Sequence, residues 1–181
     1  MLKYLPNALT FGRLLLALPL GLLILGQEYA MALGIGFIAG LSDALDGFAA
    51  RRLGYTSQFG AALDPIADKV LILVCFLSLA SSNLIDWILA AVVIGRDLLI
   101  VCGALAYRLL IGPFSFGATL LSKFNMAVQI VFCILVLTAQ LTPLPAALIF
   151  WLGTGVILVA IASGLDYVIT WSRKARPGVG S

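Results

Sequence analysis

A chain of 181 residues that is 62% hydrophobic and 10% charged has too few polar side chains to cover a water-soluble globule. Its mean hydropathy of +1.15 describes an all-α polytopic membrane protein, one domain over residues 1–181. A net charge of +3 gives no nucleic-acid footprint, and the absence of histidine removes every imidazole-based mechanism. Proton transfer must fall to carboxylate, Lys, Tyr or Cys.

Six apolar runs of spanning length follow one another, separated by short polar gaps. Met1–Pro6 is short and mildly amphipathic, and Asn7 ahead of the first run reads as a helix N-cap. The first span covers residues 8–26 and has no A-x-A cleavage site, so it is expected to be retained. The second covers 30–51, where Gly36 and Gly40 form a small-xxx-small pair expected to pack against another helix. Arg52–Phe59 is a polar connection to a third span over 60–80. Pro65 there means either a kink or a helix start at Asp64. The fourth span, 86–110, carries Arg96 and Asp97 near mid-depth, and the fifth, 120–140, opens on Ser122-Lys123-Phe124-Asn125. The sixth covers 146–171, with Arg173, Lys174 and Arg176 after it. Cys75, Cys102 and Cys133 lie inside apolar runs at neither metal nor disulfide spacing and read as small hydrophobes. No internal repeat or low-complexity tract occurs.

The polar exception is the stretch from Asp43 to Asp68, with Asp43, Asp46, Asp64, Asp68, Arg51 and Arg52 in an otherwise apolar chain. Ionisable groups at membrane depth are costly and mark function by default. At about 100° per residue, Asp43, Asp46, Gly47, Ala50 and Arg51 fall on one stripe roughly 140° wide. Gly60, Asp64 and Asp68 recur at every fourth residue on one face of the following helix. Clustered carboxylates raise one another's pKa unless a counter-charge is present. A hard divalent cation, magnesium or manganese, supplies it through oxygen ligands. The structural alternative is a polar cluster that seals two helices, but only Arg51 lies on the stripe to balance it.

The pattern D-x2-D-G-x2-A-R-x8-G-x3-D-x3-D resembles that of the CDP-alcohol phosphotransferases and is matched at every defined position. The resemblance implies one or two metal ions on Asp43, Asp46, Asp64 and Asp68. It also implies that Asp68 is the general base toward the acceptor hydroxyl. Gly47, Ala50, Arg51, Ser57 and Gly60 are then expected against CDP-diacylglycerol, with small residues admitting the nucleotide and Arg51 neutralising phosphate. The opening P-N-x-L-T-x-x-R, which includes Asn7 and Arg13, resembles the glycerol-type branch and adds Asn7 near the nucleotide. Its alternative role is a helix cap with an interfacial arginine.

Gly95-Arg96-Asp97 and Ser122-Lys123-x-Asn125 look more like the cardiolipin synthases than the phosphatidylglycerophosphate synthases, which usually show R-E and G-K-x-K-T. The expected acceptor is therefore phosphatidylglycerol, with glycerol 3-phosphate as the alternative. Arg96, Arg108, Lys123 and Asn125 are the residues expected to meet it. Lys123 has a second reading, as a snorkelling side chain at an interface. The phospholipase D-like class of cardiolipin synthases needs histidine and is excluded. A transporter or scaffold is the reading from another class, and repeated halves, its usual mark, are missing.

Lys3, Arg51, Arg52, Arg108, Lys123, Arg173, Lys174 and Arg176 fall at ends assigned to one side. The opposite gaps, near 27–29, 81–86 and 140–145, contain no Lys or Arg. The positive-inside rule then predicts cytoplasmic termini and a cytoplasmic carboxylate cluster, in a bacterial inner membrane. The C-terminal cations are expected to meet anionic lipid, and the family's habit implies a homodimer.

Overall fold

The computed structural model describes the backbone of residues 5–53, 58–110 and 119–174. Side chains are described for residues 11, 12, 14–42, 69–106 and 119–170. Six helices follow in chain order: α1 Leu5–Leu25, α2 Tyr29–Leu53, α3 Gln58–Ser81, α4 Trp87–Leu110, α5 Leu120–Thr138 and α6 Ala146–Lys174. No strand occurs among the described residues. In lipid a helix satisfies every backbone group within its own segment, which is why each apolar run takes this form.

Within the described residues, Trp87–Ala106, Leu120–Thr138 and Ala146–Thr170 are long and apolar enough to cross a bilayer. Leu14–Leu25, Tyr29–Ser42 and Lys69–Ser81 are shorter apolar stretches, each within a longer helix of 21, 25 or 24 residues.

The gaps are built by local chemistry. Asp86 caps α4 by accepting from Ile88 N–H at 3.0 Å, and Thr119 caps α5 by accepting from Ser122 N–H at 3.2 Å. After α1, Gln27 N–H donates to Ile24 C=O and Glu28 N–H to Leu23 C=O, while Gln27 holds φ 62. After α3 the same double bond recurs, Asn83 to Ala80 and Leu84 to Leu79, with Asn83 at φ 56. Both are Schellman ends.

Four boundaries differ from the sequence expectation. Asn7 stands inside α1 and not ahead of it, so its position is not that of an N-cap. Residues Arg52 and Leu53 extend α2, and Gln58 and Phe59 begin α3, so the connection is shorter than expected. The helix α3 runs through Pro65, so it does not start at Asp64. Arg173 and Lys174 belong to α6 instead of following it.

The chain packs as two compact units, Met1–Ile85 with Cys133–Leu144, and Asp86–Phe132 with Pro145–Ser181. In the first, α1 packs against α2 and α3, burying Ala17, Leu20, Ile24, Phe76 and Leu79. A Cβ at Gly21 would lie 2.7 Å from Val74 Cγ1 and 3.0 Å from Ser78 Oγ, so the missing side chain is what lets α1 reach α3. Ser82 Oγ donates to Ile24 C=O at 3.4 Å where the same two helices end. At the Gly36–Gly40 pair no described atom lies within 4 Å of a Cβ at either position, so among the described residues no helix makes the close approach that its spacing suggests. In the second unit α4 packs against α6 around Leu89, Val93, Val156 and Ala160. There Gly153 makes the close approach, 2.9 Å from its absent Cβ to Leu89 Cδ1.

Candidate active site

Helix α2 is unbroken from Tyr29 to Leu53, so Asp43, Asp46, Gly47, Ala50 and Arg51 keep the helical register that aligns them. Helix α3 likewise carries Gly60, Asp64 and Asp68 in one register. Both helices belong to the first unit. The side chains of these residues, and those of Asn7 and Arg108, lie outside the described set, as does Ser57 altogether. Carboxylates without imidazole, carried on two regular helices, are residue types that would suit a hard cation held through oxygen. Lys69, passed over in the sequence, is half-buried one residue beyond Asp68.

The second unit holds a polar cluster whose side chains are fully described. Arg96 on α4 is buried, with 8% exposure. Its Nη1 donates to Asp97 Oδ1 at 2.6 Å and its Nη2 donates to Ser122 Oγ on α5 at 2.9 Å. The same Nη2 donates to Ser163 Oγ on α6. The arginine stem passes beside Gly164, where a Cβ would lie in ordinary contact, 3.6 Å from Arg96 Cγ. One guanidinium thus ties three helices together, with its charge offset by Asp97. Tyr167 Oη adds a bond to Ile100 C=O at 3.2 Å, again between α6 and α4.

Along α5, Ser122, Asn125 and Gln129 are spaced three and four apart and share one face. Asn125 and Gln129 are 1% and 2% exposed. Asn125 Nδ2 and Oδ1, Gln129 Nε2 and Arg96 Nε have no hydrogen-bond partner among the described residues. Each buried orphan of this kind costs about 1–3 kcal/mol. Lys123 is exposed and lies on a different face of α5 from Asn125, so the two expected acceptor residues are not brought together by the helix. Gln129 and Ser163 were the members the sequence did not single out, and Ser122 was noted there only as part of a motif. An amide four residues beyond another amide in an apolar run was the available signal.

The model of the CDP-alcohol phosphatidyltransferase family matches residues 3–166. The chain belongs to this family. A cardiolipin synthase (CMP-forming) of Rattus norvegicus is 39% identical over 142 residues, covering 70% of this chain and 47% of the relative. A probable cardiolipin synthase (CMP-forming) of Drosophila melanogaster is 33% identical over 91% of this chain and 56% of its own length. The chain therefore spans about half the length of these curated relatives. The CDP-diacylglycerol–glycerol-3-phosphate 3-phosphatidyltransferase of Pseudomonas fluorescens is 32% identical, covering 95% of this chain and 90% of the relative.

Proposed function

We propose that the chain is an integral membrane phosphatidyltransferase that moves a phosphatidyl group from CDP-diacylglycerol to a glycerol-type acceptor and releases CMP. The observation that carries this reading is the register of Asp43, Asp46, Asp64 and Asp68 on α2 and α3 in a chain of this family. Phosphatidylglycerol is the favoured acceptor, which makes the product cardiolipin. Asp97 beside Arg96, and Asn125 where a second cation would favour a phosphomonoester, support it. Glycerol 3-phosphate is the second reading, supported by the near full-length match to the Pseudomonas relative.

In this reading Asp43, Asp46, Asp64 and Asp68 hold one or two magnesium or manganese ions, which when bound supply Lewis-acid stabilisation of the phosphoryl oxygens. Asp68 takes the proton of the acceptor hydroxyl. The freed oxygen attacks the phosphorus that bears the diacylglycerol, the bond from that phosphorus to the bridging oxygen breaks, and CMP leaves with the bridging oxygen. Arg51 neutralises phosphate, while Gly47, Ala50 and Gly60 keep the helix faces open to the nucleotide, with Asn7 and Ser57 beside it. Arg96, Arg108, Lys123 and Asn125 serve the acceptor. The active site and both termini face the cytoplasm of a bacterial inner membrane, where Arg173, Lys174 and Arg176 meet anionic lipid. The working form is a homodimer.

The test is CMP release from CDP-diacylglycerol by purified protein with magnesium, with each acceptor in turn, and product identity by mass spectrometry. Cardiolipin is the expected product. Phosphatidylglycerophosphate without cardiolipin moves the assignment to the second reading, and no CMP with any acceptor rejects both.

A further inference from the structure

The face of α5 that carries Ser122, Asn125 and Gln129 offers more hydrogen-bonding capacity than the described protein uses. Ser122 meets Arg96, and Arg96 meets Ser163, so at Ser122 this face is turned toward α4 and α6. From Ser122 to Gln129 it extends about 10 Å along the helix axis. Three buried atoms on it are orphaned, Asn125 Nδ2 and Oδ1 and Gln129 Nε2, and a fourth orphan, Arg96 Nε, belongs to the α4 arginine that Ser122 meets. Leucine or methionine would fill the same space without that penalty, so packing does not explain the two amides.

The chemistry of the orphans specifies what would satisfy them. Each amide nitrogen carries two N–H donors and the arginine Nε one, against a single carbonyl oxygen on Asn125. A donor-rich set needs oxygen acceptors, and Asn125 Oδ1 needs one donor in return. A hydroxyl group does both. Charge separates hydroxyl from phosphate. The one cation in the set is Arg96, and Asp97 already faces it at 2.6 Å. A phosphomonoester near −2 would bring uncompensated charge into this buried face, whereas a neutral diol brings none.

We propose that Asn125 and Gln129, with Nε of Arg96, form a neutral pocket that reads the glycerol hydroxyl of the acceptor that does not react, Gln129 being a specificity-determining residue. This rests on the reading that the acceptor is of glycerol type. Arg96 meets the acceptor through Nε alone, while its terminal nitrogens position α4, α5 and α6 around the pocket. The anionic part of the acceptor is left to cations elsewhere, such as Lys123.

The experiment compares dioleoyl phosphatidylglycerol with its propane-1,3-diol analogue, which lacks one hydroxyl of the headgroup. Wild-type protein should favour the glycerol form about tenfold in kcat/KM, the scale of one or two neutral hydrogen bonds. Gln129→Met, which keeps the volume and removes the amide, should bring the two acceptors to near equality. It should raise KM for phosphatidylglycerol and leave KM for CDP-diacylglycerol unchanged. Thermal unfolding with each lipid is read in parallel, because it needs no turnover. Phosphatidylglycerol should raise the wild-type Tm more than the analogue does, and Gln129→Met should lose that difference. Asn125→Leu is the second variant, expected to do the same. If both variants keep the wild-type preference and Tm difference, or wild type shows neither, the pocket holds water and the proposal is overturned. A wild-type protein with the Tm difference but no CMP release would reject the transferase reading and keep the pocket.

Discussion

Arg96 on α4 and Ser163 on α6, 67 residues apart in the chain, are joined by a buried hydrogen bond from Nη2 to Oγ. The bond is charge-assisted and inaccessible to water, so its loss should be felt. Ser163→Ala should lower unfolding stability by about 1.5–3 kcal/mol. Thermal unfolding in detergent measures it, and a Tm equal to wild type would mean that Ser122 alone suffices.

Arg96→Lys should be no substitute. An ammonium has no fork with which to meet Asp97, Ser122 and Ser163 together. The expected outcome is a Tm drop at least as large as that of Ser163→Ala, with a raised KM for the acceptor. Retention of both values would remove Arg96 from its positioning role.

The aspartates should divide by role. Asp43→Asn, Asp46→Asn and Asp64→Asn should each abolish turnover in protein that still elutes as folded, and chelator should do the same to wild type. Asp68→Asn should lower kcat by about 10²–10⁴-fold with little change in CDP-diacylglycerol affinity, as loss of a general base requires. Full activity in any of the first three removes that residue from the metal site, and an equal loss of affinity makes Asp68 chiefly a ligand.

The glycines make opposite predictions. Gly21→Ala adds a Cβ 2.7 Å from Val74 Cγ1, so it should cost about 1–3 kcal/mol through overpacking of α1 on α3. Gly36→Ala meets no described atom within 4 Å and should be neutral or stabilising by about 0.5–1 kcal/mol from helix propensity. Paired Tm measurements decide it, and a large loss at Gly36 would reveal a partner on that face.

Acceptor choice should respond to charge on α5. Lys123→Ala should raise KM for phosphatidylglycerol without affecting CDP-diacylglycerol. Asn125→Lys buries a second cation where the side chain is 1% exposed, so the variant should be less stable alone. Glycerol 3-phosphate should recover that stability and gain as a substrate. Product ratios with both acceptors present, read by mass spectrometry, test the shift.

Much of this molecule was legible in one dimension. A continuous apolar run in a bilayer satisfies its own backbone only as a helix, and about twenty apolar residues are needed to cross. Hydrophobic runs and polar gaps therefore marked all six elements to within a few residues. The aspartates were legible for a related reason: steps of three and four mean one face wherever the helix is regular, as it is in α2 and α3. Asn7 and Pro65 were misjudged or left open because caps and proline breaks depend on where the first turn forms, which propensity alone does not decide.

Helix faces were another matter. In lipid, leucine is as well placed outward as inward, so hydrophobicity does not say which side of a span meets protein. Leu18 and Leu22 face outward on α1 while Leu20 and Ile24 are buried there, with nothing in residue type to separate them. Close approach at Gly21 and Gly153, and its absence among the described residues at Gly36 and Gly40, followed from the shapes of neighbouring helices. The bond from Arg96 to Ser163 and the orphaned amides of Asn125 and Gln129 are likewise products of packing between distant segments. The sequence alone specified the helices and the spacing of their charges, because both depend on backbone geometry within one segment. Only the tertiary structure decided which polar groups find partners, because that depends on atoms many turns away in the chain.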